Sequence, residues 1–130
     1  MDRPLPIIIC RDDPDIQNWD DPQHGQVSFR LLVDGAAGPS EGVVQGIAIF
    51  GADGFENPHR HDRPETVHLL EGTGTARLGD REVDLNPGDT VFVPAGTIHE
   101  WRAGTNGMRL LFTFPADRFD DVAYRFGADA

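Results

Sequence analysis

From Gln26 to Phe114 the chain is interrupted every few residues by turn-forming sequence, so the runs between interruptions suit strands of four to eight residues and not helices. Val27, Phe29, Leu31 and Val33 repeat at every second position, the period of a half-buried strand. Val43–Phe50 is apolar almost throughout and is expected to be a strand buried on both faces. Glu65–Leu70, Thr73–Leu78, Glu82–Leu85, Thr90–Val93, Ile98–Arg102 and Met108–Phe114 follow. The punctuation between them is Gly79-Asp80, Asn86-Pro87-Gly88-Asp89, Pro94-Ala95-Gly96 and Asn106-Gly107, and the first and last of these are tight-hairpin dipeptides. Many short strands spaced by turns predict an all-β sandwich or barrel.

The 130 residues make one domain with a core of its own, and the 15 Gly and 10 Pro agree with a turn-rich fold. Residues 1–25, rich in Pro and Asp, read as an N-terminal arm with one strand candidate, Ile7–Cys10. Residues 26–115 form the barrel, and residues 116–130 form a C-terminal tail with a helical turn at most, within Pro115–Tyr124.

Charge narrows the choice of partner. Twenty-two acids face eleven bases, all of them Arg, for a formal charge of −11. Nucleic acid and anionic membrane both want a basic stripe that this chain lacks. The single cysteine, Cys10, excludes an intramolecular disulfide and fits a reducing, cytoplasmic setting. The Ile7–Cys10 run is too short for a membrane span or the apolar core of a signal peptide.

Chemistry concentrates in a few residues. On an extended chain His59 and His61 project from one face, with Cα atoms roughly 6.5–7 Å apart, so two imidazoles can converge on one ion. Glu65 lies beyond the Asp62-Arg63-Pro64 turn and shares a face with Val67 and Leu69. His99 opens a strand after Pro94-Ala95-Gly96, with Trp101 as its same-face neighbour. His68 faces away from Glu65 and reads as a packing or surface residue; Arg60 and Arg102 alternate out of phase with the histidines and read as solvated. Glu56 and Asn57, placed on a loop before the His pair, are within reach of a bound ligand but carry no assigned role.

These residues stand in register with a known pattern. Gly54, His59, His61, Glu65 and Gly72 resemble the first motif of the cupin superfamily, and Gly88, Pro94, Gly96 and His99 resemble the second. Two positions depart from it: Gly54 is one residue too close to His59, and Ala103 stands where the family pattern has Asn. The resemblance implies a double-stranded β-helix (jelly-roll) barrel holding one divalent transition metal through His59, His61, Glu65 and His99. Three imidazoles and a carboxylate suit Fe, Mn, Ni, Cu or Zn and leave positions for water or substrate.

Cupins host many chemistries, so three classes compete. The first is an O2-dependent dioxygenase similar to quercetinase, with Glu65 as ligand and, when displaced, base. The second is a non-redox isomerase, lyase or cyclase, in which the metal polarises a carbonyl. The third is a small-ligand-binding cupin without turnover. The only tyrosine, Tyr124, falls in the tail, which counts against reactions needing a phenol and favours the dioxygenase. Val67, Leu69, Phe112 and Trp101 are expected to wall a pocket for a hydrophobic small-molecule substrate. A homodimer is expected, with Ile7–Cys10 adding to a partner's sheet edge.

Overall fold

The computed structural model describes residues 5–127; the outermost parts of arm and tail, residues 1–4 and 128–130, lie outside it. Nine strands build the fold: β1 (Gln17–Asp21), β2 (Gly25–Val33), β3 (Val44–Phe50), β4 (Phe55–His61), β5 (Glu65–Leu78), β6 (Arg81–Leu85), β7 (Thr90–Val93), β8 (His99–Phe114) and β9 (Tyr124–Phe126). One 3-10 turn, Phe119–Asp121, precedes β9. Every pairing is antiparallel. The barrel of the all-β expectation is present.

The longest ladder organises the rest. β5 and β8 pair along their whole length, from Thr66↔Thr113 to Leu78↔His99. The first half of β5 also pairs with β7, while the partnered half of β8 pairs with β3. The second half of β5 pairs with β6, and its section of β8 pairs with β4. One ribbon therefore belongs to two sheets, and β2, which pairs with both β3 and β4, closes them into a barrel. The inner faces form a single core that includes Val44, Phe50, Leu69, Leu110 and Phe114.

The Asn106-Gly107 expectation fails. The chain does not reverse there but runs straight through β8. The signal was half correct: Gly107 does take a left-handed backbone (φ +71°) and Gly72 opposite does likewise (φ +81°). They mark a disruption of the ladder around Leu69–Gly74, where a bulge lets the ribbon pass between sheets. A Cβ on Gly72 would lie 2.1 Å from the Gly107 carbonyl oxygen, so the crossing demands bare backbone. Gly79-Asp80, by contrast, is the expected two-residue hairpin, with Leu78 facing Arg81.

Three local expectations are corrected. β3 alternates between buried and half-buried, because Gln45, Ile47 and Ile49 lie on an outer face that is only partly covered. Ile7–Cys10 forms no strand, and Ile8 is 88% exposed; the arm strand is β1, which pairs with β2 and presents Trp19. Glu56 and Asn57 lie within β4 rather than on a loop. Within the described residues no helix is long and apolar enough to cross a membrane.

Candidate metal centre

β4 and β8 run side by side with His59 directly opposite His99, and the two rings lie 4.1 Å apart, centroid to centroid. His61 follows on the same face, its ring 4.9 Å from that of His99. All three are at most 2% exposed, and one ring nitrogen from each lies within 4.8 Å of the others. Glu65, at the start of β5, places Oε1 3.2 Å from His61 Nε2 and 3.5 Å from His99 Nε2. Of the four residues read as ligands from the sequence, the three histidines converge, and Glu65 lies against two of them.

Backbone carbonyls set the orientation of each ring. His59 Nδ1 donates to Asn57 O, His61 Nδ1 to Arg63 O and His99 Nδ1 to Thr97 O, at 2.7, 2.7 and 2.8 Å. A carbonyl oxygen only accepts, so each Nδ1 carries a proton and Nε2 is the ring nitrogen left for the centre. Each carbonyl lies two residues from its histidine, which ties ring orientation to local backbone.

A polar cluster arranged in this way lacks hydrogens. Burial, and next the neighbouring His99, lowers the His59 pKa to about 3, so that ring is neutral. His99 Nε2 is buried with no hydrogen-bond partner. Burial pushes the Glu65 carboxyl up, but the imidazoles of His61 and His99 outweigh it and hold the group below its usual value. A proton between Glu65 and His61 satisfies one contact only, whereas a single cation satisfies the converging lone pairs together. The donor set therefore fits a divalent transition metal, which His59, His61 and His99 could hold with the Glu65 carboxylate against two of them.

Beside this cluster lies a cavity of about 30 Å³, lined by Glu56, Trp19, Phe29, Ala48 and Phe119 together with Val67, Trp101, Phe112 and Tyr124. Val67, Trp101 and Phe112, expected in the pocket, do border it. Leu69, also expected there, is 1% exposed and packed in the core, opposite Leu110. His68 hydrogen-bonds Thr90 Oγ1 away from the centre.

Two cavity residues had no assigned role in the sequence. Tyr124 arrives through β9, which pairs with β4 so that His61 faces Tyr124 and His59 faces Phe126. Its ring stacks near His59 at 5.5 Å and 20°. The residue is half-buried, and burial, followed by the charges of Glu65 and Glu56, raises its pKa well above the usual value. The tail carries a phenol into the site after all. The alternation of Tyr124 and Phe126 was its only sequence signal. Glu56 is brought inward by a bulge in the β4–β8 register, considered below.

A double-sheet barrel with three converging buried histidines is a β-barrel whose interior could hold a metal ion. Residues 47–114 match the family model described as Cupin domain, and the chain belongs to the cupin family. Along 125 residues it is 31% identical to dimethylsulfoniopropionate lyase DddW of Ruegeria pomeroyi, a match covering 96% of this chain and 82% of that protein. It is 37% identical to quercetin 2,3-dioxygenase of Bacillus subtilis over 54 residues, 41% of this chain and 16% of that protein. Among solved structures, the polyketide cyclase RemF from Streptomyces resistomycificus superposes with a TM-score of 0.79 at 23% identity, covering 94% of this chain and 85% of that one.

Proposed function

We propose that this cupin is a metal-dependent, non-redox lyase that eliminates a leaving group from a small carboxylate. The observation that carries the reading is Tyr124, whose side chain lines the cavity beside His59 and His61. It overturns the ground on which the dioxygenase was preferred, namely the lack of a second proton-transfer group. The extent of similarity agrees: likeness to the lyase runs along nearly the whole chain, while likeness to the dioxygenase covers 54 residues.

A β-elimination needs a proton removed from the carbon next to a carboxylate. The C–H electron pair becomes the C=C bond, and the β-carbon–leaving-group pair departs with the leaving group, so no oxidant is consumed. A divalent ion at the centre supplies a Lewis acid for the substrate carboxylate, and its positive charge opposes the upward push of Glu56 and Glu65 on Tyr124. Tyr124 is placed to exchange the proton. The aromatic faces of Trp19, Trp101 and Phe119, with Glu56 beside them, favour a positively charged leaving group such as a sulfonium, which aromatic faces attract. Apart from His59, none of the lining residues is basic.

Size also discriminates. A cavity of about 30 Å³ has room for a water molecule or two, so any substrate must displace side chains, and one of flavonol size must displace many more than a carboxylate of seven or eight heavy atoms. The test uses protein loaded separately with manganese, iron or zinc and incubated with dimethylsulfoniopropionate under argon and in air. The expected result is equal formation of acrylate and dimethyl sulfide in both. Turnover of flavonols, catechols or β-diketones with stoichiometric O2 uptake, and none of the sulfonium compound, replaces this reading with the dioxygenase.

A further inference from the structure

We infer that Glu56 is a second carboxylate ligand of the metal centre, so that the protein offers three nitrogens and two carboxylates rather than three and one. The inference rests on the three-histidine centre but not on the lyase reading.

Strand parity places Glu56 on the wrong face. It lies three residues before His59, and in a regular strand an odd separation puts two side chains on opposite sides. Yet Glu56, His59 and His61 are all buried. The register explains this: β4 pairs Glu56 with Trp101 and His59 with His99, so three residues advance on β4 while two advance on β8. That is a bulge, a feature that re-aims a side chain. Trp101 and His99 share the inner face of β8, and their partners Glu56 and His59 therefore share it too.

The bulge is held in place. Asn57 N donates to His24 O, and its side-chain Nδ2 reaches Pro22 O and Gln23 O at 3.0 and 3.1 Å. Pro58 follows, with no N–H to leave unpaired where the ladder breaks. The same Asn57 supplies the carbonyl that orients His59. One short segment thus positions the acid and the imidazole together.

The result is a buried carboxyl group close to a ring nitrogen of His59. Glu56 is 9% exposed, and Glu56 Oε2 lies 3.4 Å from His59 Nε2, the nitrogen without a proton. Glu65 stands in the same relation to His61 and His99, at 3.2 and 3.5 Å. Two donors each about 2.1 Å from one ion lie ~3.0 Å apart at a right angle and ~3.4 Å apart at the tetrahedral angle. Glu56 has this spacing to one histidine, His59, and Glu65 has it to two. Two carboxylates make the site harder than three imidazoles and one, which favours manganese or iron over zinc.

The test is spectroscopic and needs no substrate. Wild-type protein, Glu56→Gln and Glu56→Asp are loaded with cobalt(II), and visible absorption is recorded, with manganese and zinc affinities measured by calorimetry. Circular dichroism of each variant reports whether the barrel is intact. If Glu56 is a ligand, Glu56→Gln intensifies the cobalt bands as coordination number falls, lowers manganese affinity about tenfold or more, and shifts the manganese-to-zinc preference toward zinc. Unchanged bands and affinities in a folded Glu56→Gln protein overturn the assignment while leaving the centre standing. Wild-type protein that takes up neither cobalt nor manganese overturns the centre and Glu56 with it. Should Glu56→Gln fail to fold, Glu56→Asp decides by the same criteria, since its shorter side chain retracts the carboxylate.

Discussion

His61 on β4 lies directly across the ladder from Tyr124 on β9, their rings 5.2 Å apart at 65°. A residue from the tail and one from the first motif therefore form a single wall of the site. Tyr124→Phe removes only the hydroxyl and keeps the ring contacts. The variant is expected to bind metal as the wild type does and to lose between about a hundredfold and ten-thousandfold in turnover, the usual contribution of a placed proton-transfer group. Metal analysis and rate are to be measured on one preparation. A rate within threefold of wild type removes Tyr124 from the chemistry.

Metal content should depend on each imidazole. His59→Ala and His99→Ala are each expected to strip most of the ion, measured by elemental mass spectrometry after gel filtration, because one lost ligand forfeits much of the binding free energy. Chelation of the wild type should lower its melting temperature, with the drop growing as the metal originally present exceeds its dissociation constant. Full metal content in both variants rules out the centre.

The metal-free protein should respond to acid through opposing groups. His59 has a folded pKa of about 3 against an ordinary 6.5, so between these values the unfolded chain binds the extra proton and stability falls as pH drops. Glu56 is raised by burial and then by Glu65, so the folded chain holds the extra proton above the ordinary carboxyl range and stability falls as pH rises there. The two partly cancel between about pH 4.5 and 6.5. Removing one should expose the other: Glu56→Gln is expected to show a steeper loss of its urea midpoint on acidification across that window than wild type. Parallel curves contradict the burial of one or both groups.

Glycine substitutions should separate the crossing from the hairpin. Gly72→Ala meets the Gly107 carbonyl at 2.1 Å in addition to its left-handed φ, and is expected to lose several kcal/mol or fail to fold. Gly79→Ala has φ +64° but open space around it, and should cost about 1–2 kcal/mol. Equal losses by chemical denaturation refute the steric account of the crossing.

The barrel and its histidines were legible because both depend on short-range order. Alternation placed Val27, Phe29, Val67 and Trp101 inward, and the i, i+2 spacing of His59 and His61 survives in β4 unchanged. What escaped depends on pairing between distant segments. Asn106-Gly107 specifies a backbone angle, but whether that angle reverses the chain or bends a long strand is decided by Gly72, 35 residues earlier. Glu56 carried no role because it was read as part of a loop, whereas it lies in β4 at a bulge that only the pairing with β8 reveals. Tyr124 was discounted because a short tail strand gains its meaning only when β4 is there to receive it.

Residues 47–114 carry the three histidines that could hold an ion, and Glu65 beside them, while Trp19, Phe119 and Tyr124 at the cavity come from outside that stretch. The matched stretch thus supplies the histidine cluster, and the flanking strands β1 and β9 supply part of the cavity wall beside it. The two are joined where β9 pairs with β4 and where residues 22–24 hold Asn57. Barrels alike across the matched stretch can then run different reactions by exchanging the strand that delivers the phenol, and a graft of residues 116–127 onto another such barrel is a direct means of moving chemistry between them.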